Sequence, residues 1–287
     1  IRPDIPYQIT LGPHDYYWFS LQPVENVTSV QVHPLLPSVK LDRLPANELP
    51  QQFRERLEQR LLLPYFMRTR WFGGKGRRVG SITIVEDFAI ARDGQGFNFV
   101  LVTVEYVEGL PETYQIPIGF AVGERAQQIR ESAPGAIIAE LQVGDTPGVV
   151  FDAVVSEEFR QILFDLIARR RKVIGRHGDI SSSRSSQFRR ETTARPPALP
   201  SRLLGAEQSN TSILYNDSYL LKLYRKIEDG VNPDVEVGRF LAERLRFPHV
   251  PAYKGSLTFD RPRRDSQELA LMRSEERRVG KECRSRW

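Results

Sequence analysis

A nucleotide phosphate needs donors converging on its oxygens, a cation to offset their charge, and a group that holds the cation in place, and residues 207 to 236 offer all three. Gln208-Ser209-Asn210-Thr211-Ser212 reads as a small polar loop between two strand candidates, able to present backbone N–H and hydroxyl groups. Lys222 interrupts the otherwise apolar strand Leu220-Leu221-Lys222-Leu223-Tyr224, so its ammonium must point to solvent, a partner or a ligand. Glu236, in the first turns of the following helix, can pair with it. A strand lysine braced by a helix glutamate is the kinase layout. Each residue also has an ordinary reading, because exposed strand lysines and solvated helix glutamates occur in many folds. A second glycine-rich candidate, Gly73-Gly74-Lys75-Gly76, departs from the P-loop rule: no Ser or Thr follows the lysine and the four-residue spacer is missing. It reads as a turn joining helix to sheet.

The elements that must position these residues are legible from periodicity. Leu199 to Ala206 is a strand candidate, and Ser212 to Tyr215 and Tyr219 to Tyr224 flank the turn Asn216-Asp217-Ser218. A helix begins with Asn232 as N-cap and Pro233 in first position, and Val237, Phe240, Leu241 and Leu245 are expected to be its buried face. Leu257 to Phe259 and Glu268 to Met272 add two strands. Upstream, Phe53, Leu57 and Leu61 predict a helix over 51–63 that ends at Pro64. Strands follow at Ser81–Val85, Phe97–Tyr106, Tyr114–Ile118, Ala136–Leu141 and Gly148–Val155. Phe159, Ile162, Leu163, Leu166 and Ile167 form one helical stripe, with Arg169 to Lys172 in its last turn. Ser181 to Pro200 reads as a flexible connection.

The 287 residues suit about two domains, and 40% hydrophobic content is that of a globular chain. No apolar run is long enough to cross a bilayer and no signal-peptide layout opens the chain, so a soluble, cytoplasmic protein without a membrane partner is expected. Cys283 alone excludes an internal disulfide framework. The net charge of +5 is local: from Arg160 to Arg190, nine Arg or Lys against Asp165 and Asp179 give 9 − 2 = +7, which leaves 5 − 7 = −2 elsewhere. A general nucleic-acid surface is therefore not expected, although the 160–190 segment could serve as one if its affinity fell steeply with salt.

Four segments carry a resemblance to the maltokinase family. They are Arg70-Trp71-Phe72-Gly73-Gly74-Lys75-Gly76-Arg77, Ala206-Glu207-Gln208-Ser209-Asn210-Thr211-Ser212, Leu221-Lys222-Leu223-Tyr224-Arg225, and the run from Asn232 to Leu241. Residues 1 to about 20 resemble the final strands of trehalose synthase. The resemblance implies an α+β chain: an antiparallel cap sheet with helices, then the small lobe of a fold similar to protein kinases and aminoglycoside phosphotransferases. It implies transfer of the ATP γ-phosphoryl to maltose. Ser209, Asn210, Thr211 and Ser212 would cover the phosphates, Lys222 would contact them, and Glu236 would orient Lys222. The implied organisation is 1–21 trehalose synthase, 22–45 linker, 46–155 cap, 156–198 basic helix and linker, 199–273 nucleotide lobe, and 274–287 a foreign tail resembling adaptor read-through.

No catalytic residue or metal ligand is assigned. In kinases the catalytic-loop Asp and the Mg2+ ligands follow the lysine, whereas His177-Gly178-Asp179 precedes Lys222 and is read as a decoy. ATP and Mg2+ are the expected cofactors, with the metal held by a lobe outside this chain, and the fragment alone is expected to be inactive and prone to self-association. The competing function is a non-catalytic carbohydrate-binding or regulatory module with Trp71 as a sugar platform.

Overall fold

A computed structural model describes residues 36–45, 48–192, 198–205, 209–245 and 247–275. The expectations for residues 1–21, most of the linker, Gln208 and residues 276–287 lie outside the described residues. Within them the chain is α+β, with two sheets.

The first sheet belongs to the cap. The linker's end is itself a strand, β1 (Ser38–Leu41). Next come α1 (Gln51–Arg56), a π-type turn (Leu57–Leu61) and α2 (Leu62–Arg68), which run past Pro64 where the sequence suggested a stop. The N–H of Leu62 bonds the carbonyl of Leu57, five residues back, so the hydrogen-bond phase resets and Pro64 falls in the first turn of α2. A missing N–H is tolerated there. The meander β2 (Val79–Arg92), β3 (Gln95–Tyr106) and β4 (Glu112–Val122) leads through α3 (Gly123–Ser132) to β5 (Ile137–Val143) and β6 (Thr146–Asp152). The order is β1-β5-β6-β4-β3-β2, antiparallel except for β1 on β5. One face of β3 packs Val100, Val102 and Val104 against Phe53, Leu57, Leu61 and Phe66 of the α1–α2 rod. Its other face turns Phe97, Phe99 and Leu101 into a second core. Burial on both faces explains why β3 reads as a continuous apolar run rather than a strict alternation.

That second core is organised by α4 (Glu157–Ala168), capped by Ser156, whose hydroxyl accepts from the N–H of Phe159. The sequence shows one stripe, but every residue from Phe159 to Ala168 is buried, polar Arg160, Gln161 and Asp165 included. The reason is a second sheet on its far side. After α4 the chain forms β7 (Val173–Ile174), β8 (Asp179–Arg184), α5 (Ser186–Glu191), β9 (Ser201–Leu204), β10 (Asn210–Tyr215), β11 (Tyr219–Tyr224), β12 (Lys226–Ile227), α6 (Pro233–Arg239), β13 (Tyr253–Asp260) and β14 (Gln267–Ser274). The lobe sheet is antiparallel throughout, in the order β7-β8-β13-β14-β11-β10-β9. Residues 179–191 are thus a strand and a helix, not a flexible connection, and the lobe sheet extends across the expected boundary at 198–199. Serines 181–183 suit a strand here because β13 supplies the ladder that their low propensity does not.

Phe159, Leu163 and Ile167 of α4 share one core with Phe97 and Phe99 of the cap and with Ile213, Leu221, Leu223 and Met272 of the lobe. Each such side chain removed from water contributes roughly 1.5–3 kcal/mol. Among the described residues no helix is long and apolar enough to cross a membrane.

Candidate functional site

Strand alternation divides the lobe sheet into a cap-facing side and an outer side. Leu221 and Leu223 enter the shared core, so Lys222 between them lies on the outer side. Directly opposite it in the ladder are Ser212 on β10 and Leu271 on β14. The helix α6 lies over this side through Val235, which packs with Tyr224, Tyr253 and Leu271. Asn232 caps the helix as expected, its Oδ1 accepting from the Asp234 N–H at 2.9 Å, with Pro233 in first position.

The acid that meets Lys222 is Asp234. Its Oδ2 accepts from Lys222 Nζ at 2.6 Å, and the ammonium also lies 5.5 Å from the centre of the Tyr224 ring. Glu236 is exposed on the helix and forms no ion pair among the described residues. Two residues along a helix are ~200° apart, so Asp234 and Glu236 occupy opposite flanks and the docking of α6 decides which one reaches the lysine. Lys222 keeps 23% of its side chain exposed and Asp234 53%, so the pair is partly solvated.

The polar loop is reassigned in part. Ser209 lies in a bend, but Asn210, Thr211 and Ser212 belong to β10. Ser212 shares the Lys222 side, and its buried Oγ has no hydrogen-bond partner among the described residues. Thr211 alternates to the cap-facing side, where its Oγ1 accepts from Arg225 Nε at 2.8 Å. Its side chain therefore cannot join Lys222 on a phosphate. Asn210 Nδ2 donates to Ser209 Oγ at 3.2 Å. Further down the outer side, burial pushes the Glu268 carboxyl up to about 7, and Asp260 adds to this against Ser256 and Arg239.

Sequence reasoning missed Arg225, which follows Lys222 by three residues and serves the other side. Arg225 and Asp152 are each 2% exposed and paired at 2.7 Å. The guanidinium lies 5.0 Å from the centre of the Trp71 ring, and Asp152 also accepts from the Tyr65 hydroxyl at 3.0 Å. The Arg225 carbonyl accepts from the Gln115 N–H, and Gln115 Nε2 donates to the carbonyls of Tyr224 and Leu269. An arginine just after an apolar strand was the available signal. Its partner 73 positions earlier was not readable without the fold.

Trp71 is half-buried against Tyr65, Phe66 and Tyr114, so it is a packing residue and not an open sugar platform. Residues Gly73–Gly76 form a 3-10 turn between α2 and β2, and Gly74 is needed because a Cβ would run into the Tyr106 hydroxyl and the Phe72 ring. His177-Gly178-Asp179 closes the β7–β8 hairpin: Asp179 pairs with Lys172 at 2.7 Å, and the His177 N–H donates to Glu86 at 2.6 Å. In the basic segment, Arg160 donates to the carbonyls of Val154, Val155 and Ser201, and Arg184 donates to that of Ala168. The outer side of α6 differs from expectation, since Val237, Phe240 and Leu245 are exposed, Phe240 by 52%.

Residues 65–155 match the maltokinase N-terminal cap domain. That span runs from the middle of α2 through β6 and the short turn that follows it, so it includes the β2–β6 meander and both cap contributions to the Arg225 pair, Tyr65 and Asp152. Two solved structures are similar to the chain: a glucosamine kinase in complex with glucosamine, ADP and inorganic phosphate, and a glucosamine kinase in crystal form A. The first is 12% identical over 68% of this chain and 36% of that one, with a TM-score of 0.36. The second is 10% identical over 68% and 35%, also with a TM-score of 0.36. The chain spans about a third of the length of these structures.

Proposed function

We propose that this chain carries the cap and nucleotide-binding lobe of a maltokinase-type sugar kinase, an enzyme that transfers the γ-phosphoryl of ATP to maltose to give maltose 1-phosphate. In this reading residues 1–21 are the end of a trehalose synthase fused ahead of it. The observation that carries the proposal is the Lys222–Asp234 pair, on β11, the third strand counted from residue 199, and at the start of the helix that follows, behind a segment matching a maltokinase cap. A lysine on the third strand paired with an acid on the next helix is how kinases hold ATP phosphates.

Lys222 would place its ammonium on the phosphate oxygens and offset charge that grows as the bond from the γ-phosphorus to the bridging oxygen breaks. Asp234 holds that ammonium toward α6 until the nucleotide arrives. Ser209 in the bend before the neighbouring strand, and Asn210 and Ser212 on it, would supply hydrogen bonds, the Ser212 Oγ having no partner among the described residues, and Thr211 would contribute through its backbone only. Among the described residues no group of three or more His, Cys, Asp or Glu is placed to hold a metal, and no step is assigned to one. No described residue is assigned as the acceptor for the sugar hydroxyl's proton. Exposed Val237, Phe240 and Leu245 support the accompanying expectation of self-association.

Calorimetric titration with ATP and with maltose tests the reading. Weak ATP binding is expected, falling at least tenfold in Lys222→Ala, with the unfolding free energy unchanged within about 1 kcal/mol because the pair is partly exposed. Absence of ATP binding overturns it. Maltose binding that Lys222→Ala leaves untouched, without ATP binding, makes the chain a carbohydrate-binding module instead.

A further inference from the structure

The helix α4 fills the space between the two sheets over only part of their extent. Where no α4 residue reaches, a cavity of about 280 Å3 lies between the cap strands and the β13–β14 hairpin. The cap supplies Thr103 and Thr113 to its wall, and the lobe supplies Arg261, Arg264 and Gln267. It adjoins a more open hollow, which shares Pro111, Thr113, Asp229 and Gln267 in its lining.

The polar groups of this wall are not matched to one another. Gln267 is 3% exposed and donates from Nε2 to Asp229 at 2.6 Å, yet its buried Oε1 has no hydrogen-bond partner among the described residues. Arg261 Nε is buried and unmatched in the same way. Its guanidinium lies 5.3 Å from the centre of the Phe259 ring, and Nη2 is 3.7 Å from Asp229, too far for a hydrogen bond. Burial, and then the neighbouring Arg264, push the Arg261 guanidinium below its ordinary value. A buried donor or acceptor left unmatched costs about 1–3 kcal/mol, so two of them on one polar cavity are groups that a polar ligand could match.

We propose that this seam cavity binds a small phosphate monoester carrying free hydroxyl groups. Two arginines against the single, solvated Asp229 leave the wall one positive charge in excess, which selects an anion. The unmatched Gln267 Oε1 is an acceptor and calls for a hydroxyl donor, which a fully ionised anion lacks. The volume is several times the ~30 Å3 share of one water, so it accommodates more than a bare phosphate ion. The site is distinct from the one at Lys222: Gln267 pairs with Phe259, which enters the shared core, so both lie on the cap-facing side of the sheet. The proposal does not depend on the assignment of Lys222.

The test is calorimetry on the full chain with glucose 6-phosphate, with inorganic phosphate and with glucose as probes, at matched ionic strength. Glucose 6-phosphate is expected to bind saturably and at least tenfold more tightly than either comparison probe. Arg261→Gln should weaken it at least tenfold, and Gln267→Leu should reduce its advantage over inorganic phosphate. Arg264→Gln, at an exposed position, keeps the test usable if Arg261→Gln does not fold, and should weaken binding about threefold. No saturable binding, equal affinity for inorganic phosphate, or binding indifferent to all three substitutions would overturn the proposal.

Discussion

On β11, Leu221 and Leu223 point toward the cap and disappear into the core shared with α4, whereas Lys222 between them points the other way and stays partly exposed. Arg225 continues the cap-facing series just beyond the strand. It meets Asp152, Thr211 and Trp71 in a buried space, while Lys222 meets one solvated acid beside a serine whose hydroxyl has no partner among the described residues. Both cations sit three residues apart on the same backbone. Their surroundings make one a fastening between layers and leave the other in a partly solvated pair with Asp234. The general lesson is that a buried ion pair whose partners are fixed is costly to disturb, and an exposed pair is cheap to rearrange.

The contrast predicts its largest effect at the fastening. Asp152→Ala leaves Arg225 buried without its counter-charge and removes the acceptor of the Tyr65 hydroxyl, so a loss of about 3–5 kcal/mol is expected in urea unfolding. A loss below about 1 kcal/mol would erase the distinction between the two sides of the sheet. On the outer side the effect should appear in binding instead. Asp234→Asn is expected to shift ATP affinity severalfold with little change in stability, and Glu236→Gln to change neither. The reverse ranking, read by the same titration, would return the bracing role to Glu236.

The last expectation concerns pH. Burial raises the Glu268 carboxyl from an ordinary 4.5 to about 7, so the folded chain favours its protonated form. Its contribution to stability is therefore complete below about 4.5 and is lost as pH rises through about 7. Glu268→Gln should flatten that part of the stability profile in denaturant titrations at several pH values. An unchanged slope would mean that the outer side is wetter than its burial suggests.

Most strands, the α6 cap and the turn at Asn216-Asp217 were legible because each depends on neighbours in sequence: alternation, a capping side chain, and residues that accept positive φ. What was misread depends on distant partners. Pro64 looked like a stop because the π-type turn that accommodates it has no sequence signature. Residues 181–191 looked flexible because their ladder partner β13 lies over 70 positions later. Val237, Phe240 and Leu245 looked like a buried face because an apolar stripe declares that it wants cover without saying whether cover is present. The cap match over residues 65–155 agrees with the resemblance carried by residues 70–77, and the α+β class with the pattern of strands and helices.

The sequence by itself determined that a lysine sits in an apolar strand ahead of a capped helix bearing two acids, since strand period and helix capping are written within a few residues. Only the tertiary structure decided that Asp234 takes the lysine, that Thr211 turns away from it, and that Arg225 ties the lobe to the cap. Those outcomes depend on how whole elements dock, and docking is set by a core that α4 shares between two sheets far apart in sequence.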